Sequence, residues 1–251
     1  MCEIVIKDFL IQANGREIYG KLHHPADDGS YPAIIMSHGY NGCHADFPYE
    51  SLHLAKKGYV VCTYDFCGGS VRSKSSGRTE DMTIFTEKED LRAVIDFMRS
   101  QEIVDENKLF LMGGSQGGLV TSLVAEEAED LVQGMILYFP ALNIPEDWRD
   151  HFKTVDDIPE VFDLWGMNLG RNFFLSIRDF DTFAHIGGFS KDVLVIHGDR
   201  DSIVIVENSE CAKKLYKNME LVVLPGEGHG FSPAGTEKAT ALMLDFLEKH
   251  I

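Results

Sequence analysis

Six short apolar runs, with helical patterns between and after them, constrain the fold of this chain more than any other feature. Each run is mostly continuous rather than alternating, which is typical of a strand that is covered on both faces. The runs lie at residues 33–36, 59–66, 108–113, 132–141, 192–198 and 220–226, and helical patterns occupy 46–59, 85–101, 116–130, 208–218 and 238–251. Strands that alternate with helices predict an α/β fold, a mostly parallel twisted sheet with helices on both faces.

The N-terminal segment has a different pattern. Residues 3–11 and Arg16–Pro25 flank Asn14-Gly15, a dipeptide that favours the tight turn of a hairpin. We therefore expect antiparallel strands at the N-terminal edge of the sheet. In sheets of this kind, ligands bind beyond the carboxyl ends of the parallel strands.

One long segment breaks the alternation and is rich in aromatic residues. We predict a core domain formed by residues 1–141 and 190–251, with residues 142–189 inserted as a cap over the strand ends, because an insertion of this length usually has a function or its own structure. Both tryptophans of the chain, Trp148 and Trp165, lie in the insertion, and we predict that they bind substrate together with Phe174. The alternative is that these aromatic rings form a small core of the cap itself.

The charge balance excludes two classes of partner. With 23 Lys and Arg against 40 Asp and Glu, the formal net charge is −17. Binding to nucleic acid requires clustered cations, and an anionic membrane surface would repel this chain. We therefore expect no nucleic acid and no membrane as partners, whereas a homodimer is left open.

Cysteine usage and the N-terminal sequence suggest a cytoplasmic protein. The five cysteines are scattered and form no C-x-x-C pair, which suits a reducing compartment, and no set of histidines stands near them at the spacing of metal ligands. The first residues lack the basic start and apolar run of a signal peptide, and no stretch approaches the roughly 18 apolar residues of a membrane helix. We expect neither a metal nor an organic cofactor.

Four glycines surround one serine where the third apolar run meets a helical pattern. The sequence Gly113-Gly114-Ser115-Gln116-Gly117 has the G-x-S-x-G form, in which a sharp strand-to-helix turn exposes the serine hydroxyl. Side chains two positions before and after the serine would collide with neighbouring backbone, and the N-terminus of the following helix favours negative charge. The alternative is a glycine-rich turn with an idle serine, since short motifs also occur by chance.

A serine hydroxyl needs a base to become a nucleophile, and the base needs an orienting carboxylate. His229 follows the last apolar run between two glycines, and Asp201 follows the fifth run. We assign the acid to Asp201 and the turn to Asp199, with the reverse assignment left open because aspartate is common in turns. The resulting order Ser115, Asp201, His229 is the chain order that this arrangement requires.

An oxyanion hole completes the predicted site. The backbone N–H of Gln116 follows the nucleophile, and we predict that the second donor is the N–H of Tyr40, in the loop after the first apolar run. His38 in the same loop is expected to have a structural role, because one base serves the nucleophile.

Taken together, the motifs SHGYNG, YDFCGGS, GGSQGG, HGDRDSIV and GEGHGF resemble those of α/β-hydrolases, over about residues 5–247. Within that superfamily the chain resembles bacterial cinnamoyl/feruloyl esterases and related carboxylesterases. The resemblance implies Ser115 as nucleophile, His229 as base, Asp201 as acid, and Tyr40 and Gln116 as N–H donors, acting on a small-molecule ester. Cap tyrosines often assist in the feruloyl esterases, but this cap contains none; Phe173 and Phe174 stand where one is expected.

Two alternatives remain open. A serine peptidase or a thioesterase would use the same triad, because the shape of the pocket selects the leaving group. A non-catalytic ligand-binding protein of the same fold is also conceivable, because a fold does not determine function.

Overall fold

The computed structural model describes residues 3–251. Ten strands are formed: β1 (Ile4–Ala13), β2 (Arg16–Pro25), β3 (Tyr31–Ser37), β4 (Val60–Tyr64), β5 (Val104–Gly114), β6 (Gly134–Tyr138), β7 (Val161–Leu164), β8 (Met167–Gly170), β9 (Asp192–Gly198) and β10 (Met219–Leu224). The helices are α1 (Pro48–Lys56), α2 (Ile84–Arg99), α3 (Gln116–Glu127), α4 (Ile144–His151), α5 (Arg171–Ile177), α6 (Glu207–Leu215) and α7 (Pro233–Glu248).

Eight strands form one mixed sheet in the order β1-β2-β4-β3-β5-β6-β9-β10. The β1–β2 and β2–β4 pairs are antiparallel, and every other neighbouring pair is parallel. Asn14 and Gly15 both adopt positive φ angles, of 53° and 73°, as the tight β1–β2 turn requires. The predicted α/β fold with an antiparallel N-terminal edge is confirmed.

Both faces of the central sheet are buried, which explains the continuous apolar runs. Ile35 and Leu111 belong to a cluster on one face with side chains of α2, α3 and α6, whereas Ile34 and Phe110 belong to a second cluster with side chains of α1 and α7. Because side chains alternate across a strand, a strand covered on both faces needs an apolar residue at nearly every position.

Residues 142–189 fold into short elements: α4, the antiparallel β7–β8 hairpin and α5, linked by 3-10 turns. The hairpin contacts the loop after β3, because the Tyr40 hydroxyl donates to the carbonyl oxygens of Leu164 and Met167 at 2.9 and 3.2 Å. The sequence does not predict this hairpin, since each strand has only four residues. The division into core and cap remains a prediction.

Over residues 3–251, no helix combines the length and the apolar character that crossing a membrane requires.

A buried carboxyl lies in the first turn of α1. Glu50 is only 5% exposed. Burial disfavours the charged form and raises the pKa of Glu50 from 4.5 to about 7. A carboxyl with a raised pKa binds its proton more tightly in the folded state than in the unfolded state. The contribution of Glu50 to the free energy of unfolding is therefore complete below pH 4.5 and is lost as the pH rises through 7.

We expect Glu50→Gln to stabilise the protein more at high pH than at low pH. Relative to the wild type, the gain in free energy of unfolding should be about 2–3 kcal/mol at pH 8 and below about 1 kcal/mol at pH 5. Urea unfolding of both proteins at the two pH values measures the difference. A gain that does not change with pH would show that Glu50 titrates normally in the folded protein.

Candidate active site

Ser115 occupies a sharp turn between β5 and α3. Its backbone angles, φ 53° and ψ −120°, lie in a region that non-glycine residues rarely adopt. The neighbouring strand and loop hold this conformation: the Ser115 N–H donates to Tyr138 O at 2.9 Å, and Ser115 O accepts from the N–H of Ala141 at 3.0 Å. The strain therefore persists because β6 and the following loop fix the backbone on both sides of the serine.

The glycines around Ser115 are required by close backbone contacts. A Cβ atom on Gly113 would overlap the carbonyl oxygen of Gly117, and one on Gly117 would overlap those of Ser37 and His38. A Cβ on Gly39 would stand 3.1 Å from the Ser115 Cβ. The helix and the loop after β3 thus approach the serine as closely as the backbone allows, which is the packing expected of a presented serine rather than of an idle turn.

Three side chains from distant parts of the sequence form a continuous hydrogen-bonded chain. His229 Nε2 lies 3.0 Å from Ser115 Oγ, and His229 Nδ1 lies 2.8 Å from Asp201 Oδ2. The other oxygen, Asp201 Oδ1, accepts from the N–H groups of Ile203 and Val204, both at 2.9 Å. These bonds orient the Asp201 carboxylate, which in turn orients the imidazole toward the serine.

Asp199 has a different partner. Its carboxylate accepts from the Gly226 N–H at 2.6 Å and so closes the turn after β10. Of the two aspartates in this loop, the structure therefore brings Asp201 to the histidine and Asp199 to a backbone turn.

A second histidine, His197, supports Asp201 and was missed in the sequence. It is fully buried at the end of β9, and its Nε2 lies 2.8 Å from Val204 O and 3.4 Å from Asp201 Oδ2. Burial lowers the pKa of His197, which favours the neutral imidazole. Its Nδ1 is 2.7 Å from the Ser209 hydroxyl, so Ser209 can donate to Nδ1 while Nε2–H faces the two oxygens.

The residues whose N–H groups are predicted to form the oxyanion hole, Tyr40 and Gln116, line the same cavity as Ser115. Within residues 3–251, neither backbone N–H donates to a protein acceptor. The Gln116 side chain is held by Glu87, whose oxygens lie 3.0 and 2.9 Å from Gln116 Nε2. Burial raises the pKa of Glu87 well above its usual value.

His38 has a structural environment. It is buried, its Nε2 accepts from the Phe66 N–H at 3.1 Å, and its Nδ1 lies 2.8 Å from Gly39 O. An Nδ1–H tautomer satisfies both bonds and fixes the loop that carries Tyr40. Burial lowers the pKa of His38, in keeping with a neutral ring.

One cavity, which we call the Trp148 cavity, has a volume of about 390 Å³ and extends from Ser115 to the segment 142–189. Its apolar wall is formed by both tryptophans and by Leu164, Leu169, Phe173 and Val204. Trp165 stands at the edge and is 68% exposed. The structure thus brings both tryptophans to the cavity.

Phe174 does not face this cavity, which corrects the sequence prediction. Successive residues on a helix point about 100° apart, and of Phe173 and Phe174 on α5 only Phe173 lines the cavity. Phe174 is 2% exposed, and its ring packs against Trp148 and Phe152 with centroids 4.8 and 5.1 Å apart. It belongs to the aromatic core of the segment, and Phe173 takes the place predicted for it.

One cluster in the described chain has the composition of a metal site. Ligand atoms of Cys43, His44 and Asp65 lie within 4.8 Å of one another. Hydrogen bonds already use this carboxylate: Asp65 Oδ1 lies 2.6 Å from the backbone nitrogen of His44 and 2.8 Å from its Nδ1. Burial raises the pKa of Cys43, which disfavours the thiolate that a metal would need. The cluster fits a loop anchor better than a metal site, and the absence of a metal stays a prediction.

The sheet and the strand-to-helix turn that carries Ser115 define the chain as an α/β-hydrolase. The family model of the prolyl oligopeptidase family, Peptidase_S9, matches residues 45–251. The chain therefore belongs to the prolyl oligopeptidase family.

Individual relatives agree with this class. Est1E from Butyrivibrio proteoclasticus, solved with ferulic acid bound, matches with a TM-score of 0.83 at 27% identity, over 94% of this chain and 98% of that one. A non-heme haloperoxidase of Rhodococcus erythropolis is 26% identical over 96% of this chain and 99% of its own length. YuxL, an uncharacterized peptidase of Bacillus subtilis (strain 168), is 24% identical over 93% of this chain, which spans only 36% of YuxL. The predicted resemblance to α/β-hydrolase esterases is confirmed.

Replacing Gly117 by alanine tests the packing of the turn. In a free helix the change would stabilise by up to about 1 kcal/mol, but here the new Cβ would overlap two carbonyl oxygens, so we expect a loss of about 2 kcal/mol or more. Gly228→Ala is a matched control, because the nearest atom to its Cβ would be 3.7 Å away. Urea unfolding compares the two variants. A Gly117→Ala protein as stable as the wild type would contradict the close contact.

Proposed function

We propose that the chain is a serine carboxylic-ester hydrolase that works through Ser115, His229 and Asp201. The observation that carries the proposal is the hydrogen-bonded chain from Asp201 through His229 to the hydroxyl of Ser115, whose backbone has a positive φ angle. Geometry of this kind converts a poor nucleophile into an active one. We further propose that the protein is cytoplasmic, which is supported by the free thiols of its four described cysteines; Cys2 lies outside the described residues.

The proposed reaction has two halves. Ser115 Oγ attacks the ester carbonyl while His229 Nε2 takes its proton, and the N–H groups of Tyr40 and Gln116 hold the oxyanion, each contributing about 3 kcal/mol. His229 then protonates the leaving alcohol and an acyl-serine forms. Water, deprotonated by His229, releases the acid. Asp201 stabilises the imidazolium throughout.

From the lining of the Trp148 cavity we infer that the acyl group of the substrate is apolar or aromatic, as in cinnamoyl or feruloyl esters. Its apolar walls suit a flat ring. Asn143, Asp147 and His151 also line the cavity, and they offer a phenol hydroxyl the partners that a cap tyrosine would otherwise supply. The similarity to Est1E, which was solved with ferulic acid, favours the same acyl class.

A peptidase is the second candidate, because the family model and YuxL both point to peptide bonds. The same triad would serve. A thioesterase stays open as well, because it would also use this triad. A non-catalytic role is disfavoured by the complete Ser–His–Asp arrangement.

We expect a fluorophosphonate probe to label the wild type and not Ser115→Ala. In a panel of methyl ferulate, p-nitrophenyl acetate, an acyl-CoA and an aminoacyl amide, the two oxygen esters should be the best substrates by kcat/KM. Faster turnover of the amide would favour the peptidase, and faster turnover of the acyl-CoA would favour the thioesterase. Labelling of Ser115→Ala, or no labelling of either protein, would contradict the serine mechanism.

Asp201→Asn should lower kcat by about 10³–10⁴-fold, because the amide stabilises the wrong tautomer of His229. Asp199→Asn is the matched control, since its side chain oxygen can still accept from Gly226 N–H, and we expect kcat within a few-fold of the wild type. Steady-state kinetics on one activated ester compare the two. Equal losses of kcat in both variants would contradict the proposed role of Asp201.

A further inference from the structure

A second cavity also reaches Ser115. This cavity, which we call the His229 cavity, has a volume of about 410 Å³. Its wall includes His229, Phe231, Phe139, Tyr138, Tyr49 and Glu50. The Trp148 cavity and the His229 cavity share Ser115, Tyr40, Trp165 and Ile203, but His229 lines only the second.

Because His229 lines only one of the two cavities, each cavity can be assigned to one half of an ester substrate. In acyl transfer the imidazole gives its proton to the leaving group, so the leaving group lies on the side where the imidazole is exposed. His229 faces the second cavity, and the apolar cavity beneath the tryptophans is left for the acyl group. The chemistry of the His229 cavity should therefore select the leaving group.

Glu50 contributes a buried carboxyl to this cavity, and its oxygens are free to accept hydrogen bonds from a ligand. It is 5% exposed, and within residues 3–251 no other residue donates a hydrogen bond to its side chain. Burial raises the pKa of Glu50 to about 7, which a bound cation would lower again. A carboxyl left in this state lacks the pairing that buried acids normally have.

The surrounding groups complement a positive charge. The Tyr138 hydroxyl is buried without a hydrogen-bonding partner among the described residues, and the nearby Thr240 hydroxyl donates instead to Thr236 O. Asp46, the second acid on the wall, is paired with Arg72 at 3.1 Å. In the described chain no lysine or arginine lines this cavity.

Aromatic rings provide the remaining surface. The rings of Phe139 and Phe231 pack edge to face at 4.9 Å, and Phe139 lies 4.6 Å from the His229 ring. Phe47, Tyr49 and Trp165 complete the aromatic lining. Aromatic faces attract ammonium groups, most strongly where water is excluded, and the overall charge of −17 draws cations toward the protein.

We propose that the His229 cavity binds a leaving group that carries an ammonium group, with Glu50 as its counter-ion. The proposal rests on the ester hydrolase function above and names its substrate class as esters of amino alcohols with apolar or aromatic acids. Water cleaves the acyl C–O bond of such an ester; the oxygen of the amino alcohol receives the proton from His229, and the acid keeps the hydroxyl of water.

A pair of isosteric esters tests this proposal. At pH 8 the amine of 2-(dimethylamino)ethyl benzoate is largely protonated, whereas 3-methylbutyl benzoate has nearly the same shape without a charge. We expect the wild type to favour the cationic ester in kcat/KM by at least about tenfold. Glu50→Gln should reduce that preference about tenfold or more, because the amide retains the shape of the side chain and removes its charge.

Glu237→Gln is the matched control. Glu237 is exposed and adjoins Thr236, which lines the cavity, so the variant changes the net charge equally without touching the buried carboxyl. It should keep the wild-type preference. A loss of preference in both variants would mean that the cationic ester is favoured by the overall charge alone, which overturns the proposal.

Binding without turnover separates the two proposals. In the Ser115→Ala background, we expect the cationic ester to raise the melting temperature more than the neutral ester does, and Glu50→Gln to abolish the difference. Equal hydrolysis of both esters by the wild type would overturn the cation subsite and leave the ester hydrolase intact. Glu50-dependent binding without hydrolysis of either ester would overturn the hydrolase function and leave the subsite intact.

Discussion

The hydrogen bond between Ser115 and His229 joins residues 114 positions apart, and the other features of the site serve to make it. It requires a serine that projects from the edge of the sheet, which requires a positive φ angle and glycines that let backbone pack against backbone. It also requires an imidazole held by a fixed carboxylate. The Asp201 carboxylate is fixed in turn by two N–H groups of its own loop and by the buried His197. The parallel sheet provides the common edge at which these loops meet.

Two cavities with different linings meet at Ser115. One has an apolar wall with a few polar side chains and lies under the segment 142–189, and the other contains an unpaired carboxyl among aromatic rings. Because His229 faces only the second, we infer that acyl and leaving groups are selected mainly by the residues that line one cavity and not the other.

The three side chains that meet at the candidate site could be predicted from the sequence because each follows a buried strand whose apolar run is easy to recognise. Ser115 has its glycines, and Asp201 and His229 come in the required order, so local pattern and chain order suffice. Phe173 could not be distinguished from Phe174 in the same way, since the choice depends on how α5 rotates against Trp148. The strands of the β7–β8 hairpin are too short to show the alternation of polar and apolar residues by which a strand is recognised.

Glu50 and His197 were missed for a related reason. Glu50 reads as an ordinary glutamate in the first turn of a helix, where acids are favoured, and only the packing of β6 and the loop after β10 encloses it. His197 lies within an apolar run and reads as part of the strand. The environment of Glu50 depends on contacts between distant segments, and that of His197 depends on how residues 201–209 fold back onto the strand end; neither is visible in a single sequence.

The central claim is that an acyl group is transferred to Ser115. Mass spectrometry of the protein quenched in acid during turnover of a p-nitrophenyl ester tests it most directly. We predict one acyl group per chain, located after proteolysis on the peptide that contains Ser115. The absence of an adduct under conditions of measured turnover, or an adduct on Cys43 or another residue instead, would contradict the account.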